Sequence, residues 1–167
     1  MMKPEQAGGT PAEKQEQPME SGVENGLWFH PPAKEPQQMS PVVLAYIGDA
    51  VFELLVRQYL LAQPNHRLHH LHKEATSMVS AKAQCALLHR LMPLLTDEEA
   101  DVVRRGRNAK SGNPPKNADP QEYRHATALE CLFGYLYYHK RSARIQELLE
   151  IAIQRTSAAA GEEEETT

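Results

Sequence analysis

Val42-Val43-Leu44-Ala45-Tyr46-Ile47-Gly48-Asp49-Ala50-Val51-Phe52-Glu53-Leu54-Leu55-Val56 is the stretch that decides how this chain is read. A helix apolar on nearly every side belongs in an interior. An isolated carboxylate is costly there unless something pairs with it or coordinates it. Asp49 is therefore out of place. A second stretch repeats the pattern. In Ala126-Thr127-Ala128-Leu129-Glu130-Cys131-Leu132-Phe133-Gly134-Tyr135-Leu136-Tyr137-Tyr138, Glu130 is the only charge. Two acids on two apolar helices point to helices that face each other across a shared cation. A glycine lies within one turn of each acid, Gly48 and Gly134. Mid-helix glycine costs up to about 1 kcal/mol, a cost offset where it lets a second helix or a ligand approach.

Working outward, the chain reads as helices with no convincing strand. Ser40-Pro41 supplies an N-cap and a first-turn proline, and the Asp49 helix spans about 40–62. A short helix follows at 68–72 and a longer one at 74–92. Thr96-Asp97-Glu98-Glu99 forms a capping box for a helix to about residue 105. Asp119-Pro120-Gln121-Glu122 forms another, which opens the Glu130 helix. An amphipathic helix covers about 143–154, with Ile145, Leu148, Leu149 and Ala152 inward. The expected architecture is an all-α bundle of five to seven helices.

Composition sets the limits of that bundle. Residues 1–39 are rich in Pro, Gln, Glu and Gly and carry −3. Residues 156–167 include four consecutive Glu and carry −4. Both read as disordered acidic tails. Residues 40–155 remain as the folded part. The net charge of −4 therefore hides a folded part of +3 with seven His. Cys85 and Cys131 lie in apolar helical stretches and read as core residues in a reducing compartment. No apolar run is long enough to cross a membrane. The expected location is the cytoplasm.

Four elements carry candidate chemistry. Asp49, Glu53 and Arg57 fall at i, i+4 and i+8 and make one polar stripe, with Glu53–Arg57 as an ion pair. Thr127, Glu130 and Gly134 share a face of the second helix. Hard cations such as magnesium take oxygen ligands and keep several waters, so two carboxylates with a substrate phosphate suffice for a site. Such an ion activates water and offsets charge on a phosphodiester. Arg104, Arg105, Arg107, Asn108, Lys110, Ser111 and Lys116 form a basic stretch, read as a loop that holds nucleic-acid backbone without reading sequence. His66, His69, His70 and His72 have no companion ligand set for zinc and read as surface residues, some touching phosphate.

At this point a resemblance enters. Leu44 to Glu53 resembles the helix motif of the ribonuclease III family. The likeness continues through Leu71-His72-Lys73, Val79 to Gln84, Arg104 to Lys110, Pro115 to Asp119, Tyr123-Arg124, and Thr127 to Glu130 with Gly134 to Tyr137. It is similar to Mini-ribonuclease III, the short form without a separate double-stranded-RNA-binding domain. The resemblance implies a homodimeric, ribonuclease III-like helical bundle. It also implies a magnesium-dependent endoribonuclease, with manganese as a substitute ion. Such an enzyme cuts both strands of duplex RNA and leaves 5′-phosphate and 3′-hydroxyl ends. The implied substrate is the 23S ribosomal RNA precursor, with a large-subunit ribosomal protein assisting. Asp49 and Glu130 take the metal-binding acid positions, and the basic stretch stands in for the missing RNA-binding domain. Ordinary ribonuclease III has further acids where this chain has Val42, Ala45 and Thr127, a reduced set that the Mini form shares. Glu53, Glu74, His72 and Thr127 are auxiliary candidates, Thr127 through a metal-held water.

That reduced acid set keeps a binding reading open beside the enzyme: a helical dimer that clamps structured RNA without cutting it. A purely structural dimer with no nucleic acid is the third reading.

Overall fold

The computed structural model describes residues 30–110, 112 and 114–163, with side chains placed as far as residue 154. Six α-helices make up most of it: α1 (Pro41–Leu61), α2 (Leu68–Val79), α3 (Ala81–Leu91), α4 (Asp97–Asn108), α5 (Pro120–Tyr138) and α6 (Ser142–Glu163). Two single-turn 3-10 helices, Pro36–Gln38 and Met92–Leu94, complete the order, and no strand occurs among the described residues.

Helix α5 is the central post. It is buried almost all round, from Ala126 to Leu136, because α1, α3, α4 and α6 all pack on it. The core joins Leu44, Phe52 and Val56 of α1, Leu88 and Leu91 of α3, Val102 of α4, Leu129, Leu132 and Phe133 of α5, and Leu148 of α6. Phe52 meets Phe133 edge to face at 5.2 Å, a geometry in which ring edge and ring face attract. Ile145, Leu148, Leu149 and Ala152 are buried, as the amphipathic pattern predicts.

Several boundaries differ from the sequence reading. The helix break falls at Ser80, not near residue 73. The Ser80 hydroxyl accepts from the Ala83 amide and starts α3, so a residue that competes with the helix backbone wins locally. Ser40 occupies the N-cap of α1, but its side chain makes no capping hydrogen bond, and Pro41 alone sets the start. The Thr96–Glu99 box is present in both halves. The Asp119 carboxylate accepts from the Gln121 and Glu122 amides. Residues 30–39, assigned to the tail, include the Pro36–Gln38 turn, with Pro36 buried and Met39 packed on the core. A single turn is too short to leave a period in the sequence. Helix α6 runs past residue 154 to Glu163, through Ala158-Ala159-Ala160, which favours helix. Residues 1–29 and 164–167, the rest of the two expected tails, lie outside the described residues.

Helix α1 is buried along the side that meets α5 and α2. Val43, Tyr46, Leu54 and Leu61 are exposed on the other, Tyr46 at 83%. Asp49 is exposed as well. Part of the apolar surface of α1 is thus left uncovered by this single chain.

Candidate active site

The crossing of α1 and α5 explains where the acids sit. A methyl group on Gly48 would overlap the carbonyl oxygen of Glu130, and one on Gly134 would overlap the carbonyl oxygen of Leu44. Both glycines are needed for two backbones to touch. The contact sets Asp49, next to Gly48, beside Glu130, four residues before Gly134.

The two acids line one cavity of about 490 Å³ with Val42, Ala45, Tyr46, Ile47, Ala50, Tyr123 and Thr127. The three positions at which this chain lacks further acids, Val42, Ala45 and Thr127, are all in its wall. The cavity therefore has two carboxylates in a surround that is otherwise apolar or hydroxylic. Burial pushes the Glu130 carboxyl up to about 7, the Asp49 charge adds to the rise, and a hydrogen bond from Gln84 opposes it. Partial desolvation at the cavity wall also raises Asp49, exposed though it is at the surface of the single chain, with Glu53 contributing. Asp49 ionises first, and its charge then resists the ionisation of Glu130. A cation between them would relieve both costs. Two hard oxygen donors suit magnesium or manganese, so the residues present fit the ion.

Gln84 is the neighbour that sequence reasoning missed. It is 1% exposed on α3, its side chain hydrogen-bonds Glu130, and its Oε1 is buried without a protein partner. It closes the Val79 to Gln84 stretch of the resemblance, where it carried no assigned role. Thr127 is 6% exposed and its hydroxyl donates to the Tyr123 carbonyl at 3.0 Å, which leaves oxygen lone pairs for the cavity. Glu53 pairs with Arg57 on the helix surface and does not line the cavity. Neither does Glu74 nor His72, which is exposed on α2.

The basic stretch is not all loop. Arg104, Arg105, Arg107 and Asn108 belong to the last turns of α4, which ends at Asn108. Gly106 lets this part of α4 pack close against α5: a methyl there would stand 2.9 Å from Ala128 Cα and 2.9 Å from Cys131 Cβ. Its glycine served close packing, where a loop was expected. Arg104 and Arg105 both bond Asp101, Arg105 at 3.1 Å. Lys110 and Lys116 lie in the loop proper, and Ser111 lies outside the described residues. Arg107, Asn108 and Lys110 meet Tyr123 and Arg124 of α5 around a second pocket of about 630 Å³. Tyr123 lines both cavities, so the basic pocket adjoins the acidic one. Tyr123 and Arg124 were part of the resemblance but had been given no role.

The comparisons with known proteins identify the family. The Ribonuclease III domain model matches residues 42–141. The chain is 50% identical over 117 residues to the Mini-ribonuclease 3 of Symbiobacterium thermophilum, covering 70% of this chain and 90% of that protein. It is 50% identical over 119 residues to the Mini-ribonuclease 3 of Brevibacillus brevis, covering 71% and 89%. The chain belongs to the ribonuclease III family. Its relatives place it in the Mini-ribonuclease 3 branch. The crystal structure of a Fusobacterium nucleatum protein has the same fold, with a TM-score of 0.67 at 31% identity, covering 74% of this chain and 99% of that one. As a ribonuclease III family member the chain is an endoribonuclease that acts on double-stranded RNA, and the clamp-only and purely structural readings fall away.

Proposed function

We propose that this endoribonuclease uses Asp49 and Glu130 to hold magnesium, with manganese as a substitute, and matures the ends of the 23S ribosomal RNA precursor. The observation that carries the reading is the shared cavity, in which Asp49 raises the cost of ionising Glu130. Bound there, a hard divalent cation supplies positive charge to a phosphodiester and makes water more acidic. The chain's own groups do the rest. Gln84 holds the Glu130 carboxylate in place, and the Thr127 oxygen is available to orient a water. Arg107, Lys110 and Arg124 neutralise phosphates next to the acids, with Asn108, Ser111 and Lys116 as further backbone contacts. Arg104 and Arg105 contribute more weakly because Asp101 competes for them. Contacts of this kind hold duplex RNA by its shape and backbone.

The folded unit in this reading is 40–155 with the Pro36 turn added, and the working form is a homodimer. Val43, Tyr46, Leu54 and Leu61 give α1 an apolar outer face, and a second copy is the simplest symmetric cover. A large-subunit ribosomal protein on the precursor is the assisting partner. Two free thiols, Cys85 and Cys131, suit the reducing cytoplasm. Among the described residues no helix is long and apolar enough to cross a membrane.

The test is cleavage of a precursor stem duplex with magnesium. Wild type should cut both strands, and Asp49→Asn should cut neither while still binding the RNA. Full activity in Asp49→Asn would refute the metal assignment.

A further inference from the structure

Cys85, His89 and His125 form a second cluster of ligating side chains, and none of them lines the cavity that holds Asp49 and Glu130. Cys85 and His89 are one turn apart on α3, and His125 projects from the first half of α5. One ligand atom from each lies within 4.8 Å of the others. Cys85 Sγ is 4.0 Å from His89 Nδ1, and the two imidazole rings are 4.9 Å apart. A tetrahedral zinc ion holds its sulfur and nitrogen ligands roughly 3.3–3.8 Å from one another. Side-chain rotation of about 1 Å therefore closes the site.

Three further observations point to a metal. His125 Nδ1 is 2.7 Å from the Gln121 carbonyl oxygen. A carbonyl only accepts, so the ring proton is on Nδ1 and the Nε2 lone pair is free. That is how a metal-binding histidine is usually fixed by its outer partner. Burial first, and then the negative charges of Glu122 and Asp119, hold the Cys85 thiol in its protonated form, a cost that a bound cation would offset. One thiol and two imidazoles are soft and borderline donors, which select zinc-class ions over magnesium.

We propose that Cys85, His89 and His125 bind one zinc-class divalent ion that staples α3 to α5. On binding, the Cys85 thiol loses its proton to solvent as the sulfur–metal bond forms. Water or a carboxylate completes the fourth position. The staple lies next to Gln84 in sequence and about one turn before Glu130 on α5, so it fixes the two helices whose contact positions Glu130. The site is independent of the metal that Asp49 and Glu130 hold.

The experiment uses the full reduced chain, stripped of metal by chelation and titrated with cobalt. One equivalent should produce a thiolate-to-cobalt charge-transfer band together with the strong visible bands of a four-coordinate ion. Zinc should displace cobalt and bleach both. Cys85→Ser should lose the charge-transfer band. His89→Gln, a change at an exposed residue that leaves the core intact, should weaken cobalt binding by more than roughly tenfold, the loss that removing even an outer partner brings. The Asp49→Asn, Glu130→Gln double variant should keep the band. No band in wild type, a band that survives Cys85→Ser, or binding lost only when His66, His69 and His70 are replaced would each overturn the staple.

Discussion

Gly48 of α1 and Gly134 of α5 are in backbone contact: a methyl on Gly48 would stand 2.7 Å from the Gly134 amide nitrogen. The obstructing atoms are main chain, so no rotamer can move them aside. Gly48→Ala should therefore destabilise the fold by about 3 kcal/mol or more, at the upper end of overpacking costs. It should also part Asp49 from Glu130 and weaken magnesium binding in whatever fraction still folds. Denaturant unfolding and a metal titration check both effects. A neutral Gly48→Ala would mean that the helices can separate freely.

The raised Glu130 carboxyl makes stability depend on pH. It is held up at about 7 in the fold by burial and by the Asp49 charge, against about 4.3 in an unfolded chain. Between those values the folded state keeps a proton that the unfolded state releases. Metal-free stability should then fall as pH rises from about 4.5 to about 7, by on the order of 2–3 kcal/mol. Glu130→Gln should lose this component and be the more stable protein at pH 8, while cutting no RNA. Magnesium should stabilise wild type above pH 7 and leave Glu130→Gln nearly unchanged. Unfolding curves at pH 5 and pH 8 for both proteins decide it, and identical pH dependence in the two would disprove the coupling.

Glu99 has the opposite sign. Its side chain is 2% exposed and takes a two-pronged contact from Arg144, at 2.9 and 2.8 Å, that ties α4 to α6. Burial pushes its carboxyl up, but Arg144 and the Thr96 amide outweigh that and hold it below the usual range. Its contribution is thus present above the unfolded value and is lost as pH falls through the lower folded one. Arg144→Ala strands a buried charge and should cost about 3–5 kcal/mol. Adding Glu99→Gln should restore part of that loss. An additive double variant, read by denaturant midpoints, would show that the pair does not couple.

How much of this was legible beforehand depended on the range of each interaction. Helices and caps are local, so Thr96–Glu99, Asp119 and the amphipathic α6 could be read from spacing. Asp49 and Glu130 were conspicuous because each breaks an apolar run, and Gly48 and Gly134 marked the close crossing. The role of Gly106 was misread, because a glycine flanked by Arg and Asn looks like a loop until α5 is placed against it. Gln84 was missed because its importance comes entirely from contact with a residue on another helix. The same holds for Cys85, His89 and His125. Cys85 and His89 have helical spacing, but nothing in the sequence says that His125 lies beside them. The apolarity of α1 on nearly every side signalled more apolar surface than one small domain could cover, but hydropathy cannot say which residues a single chain leaves open: Val43, Tyr46, Leu54 and Leu61.

The division of the basic residues gives a last prediction. Arg107, Lys110 and Arg124 surround the pocket next to the acids, whereas Arg104 and Arg105 share Asp101. Each phosphate contact adds about one to the slope of log affinity against log salt. Arg107→Ala and Arg124→Ala should each flatten that slope by about one, measured on duplex RNA with the cleavage-dead Asp49→Asn chain. Arg104→Ala should flatten it by less, because its charge is already partly spent on Asp101. Asp101→Ala should do the reverse: with Arg104 and Arg105 released, RNA binding should tighten and its salt dependence steepen. Equal slopes across all four variants would mean that RNA does not enter by this pocket.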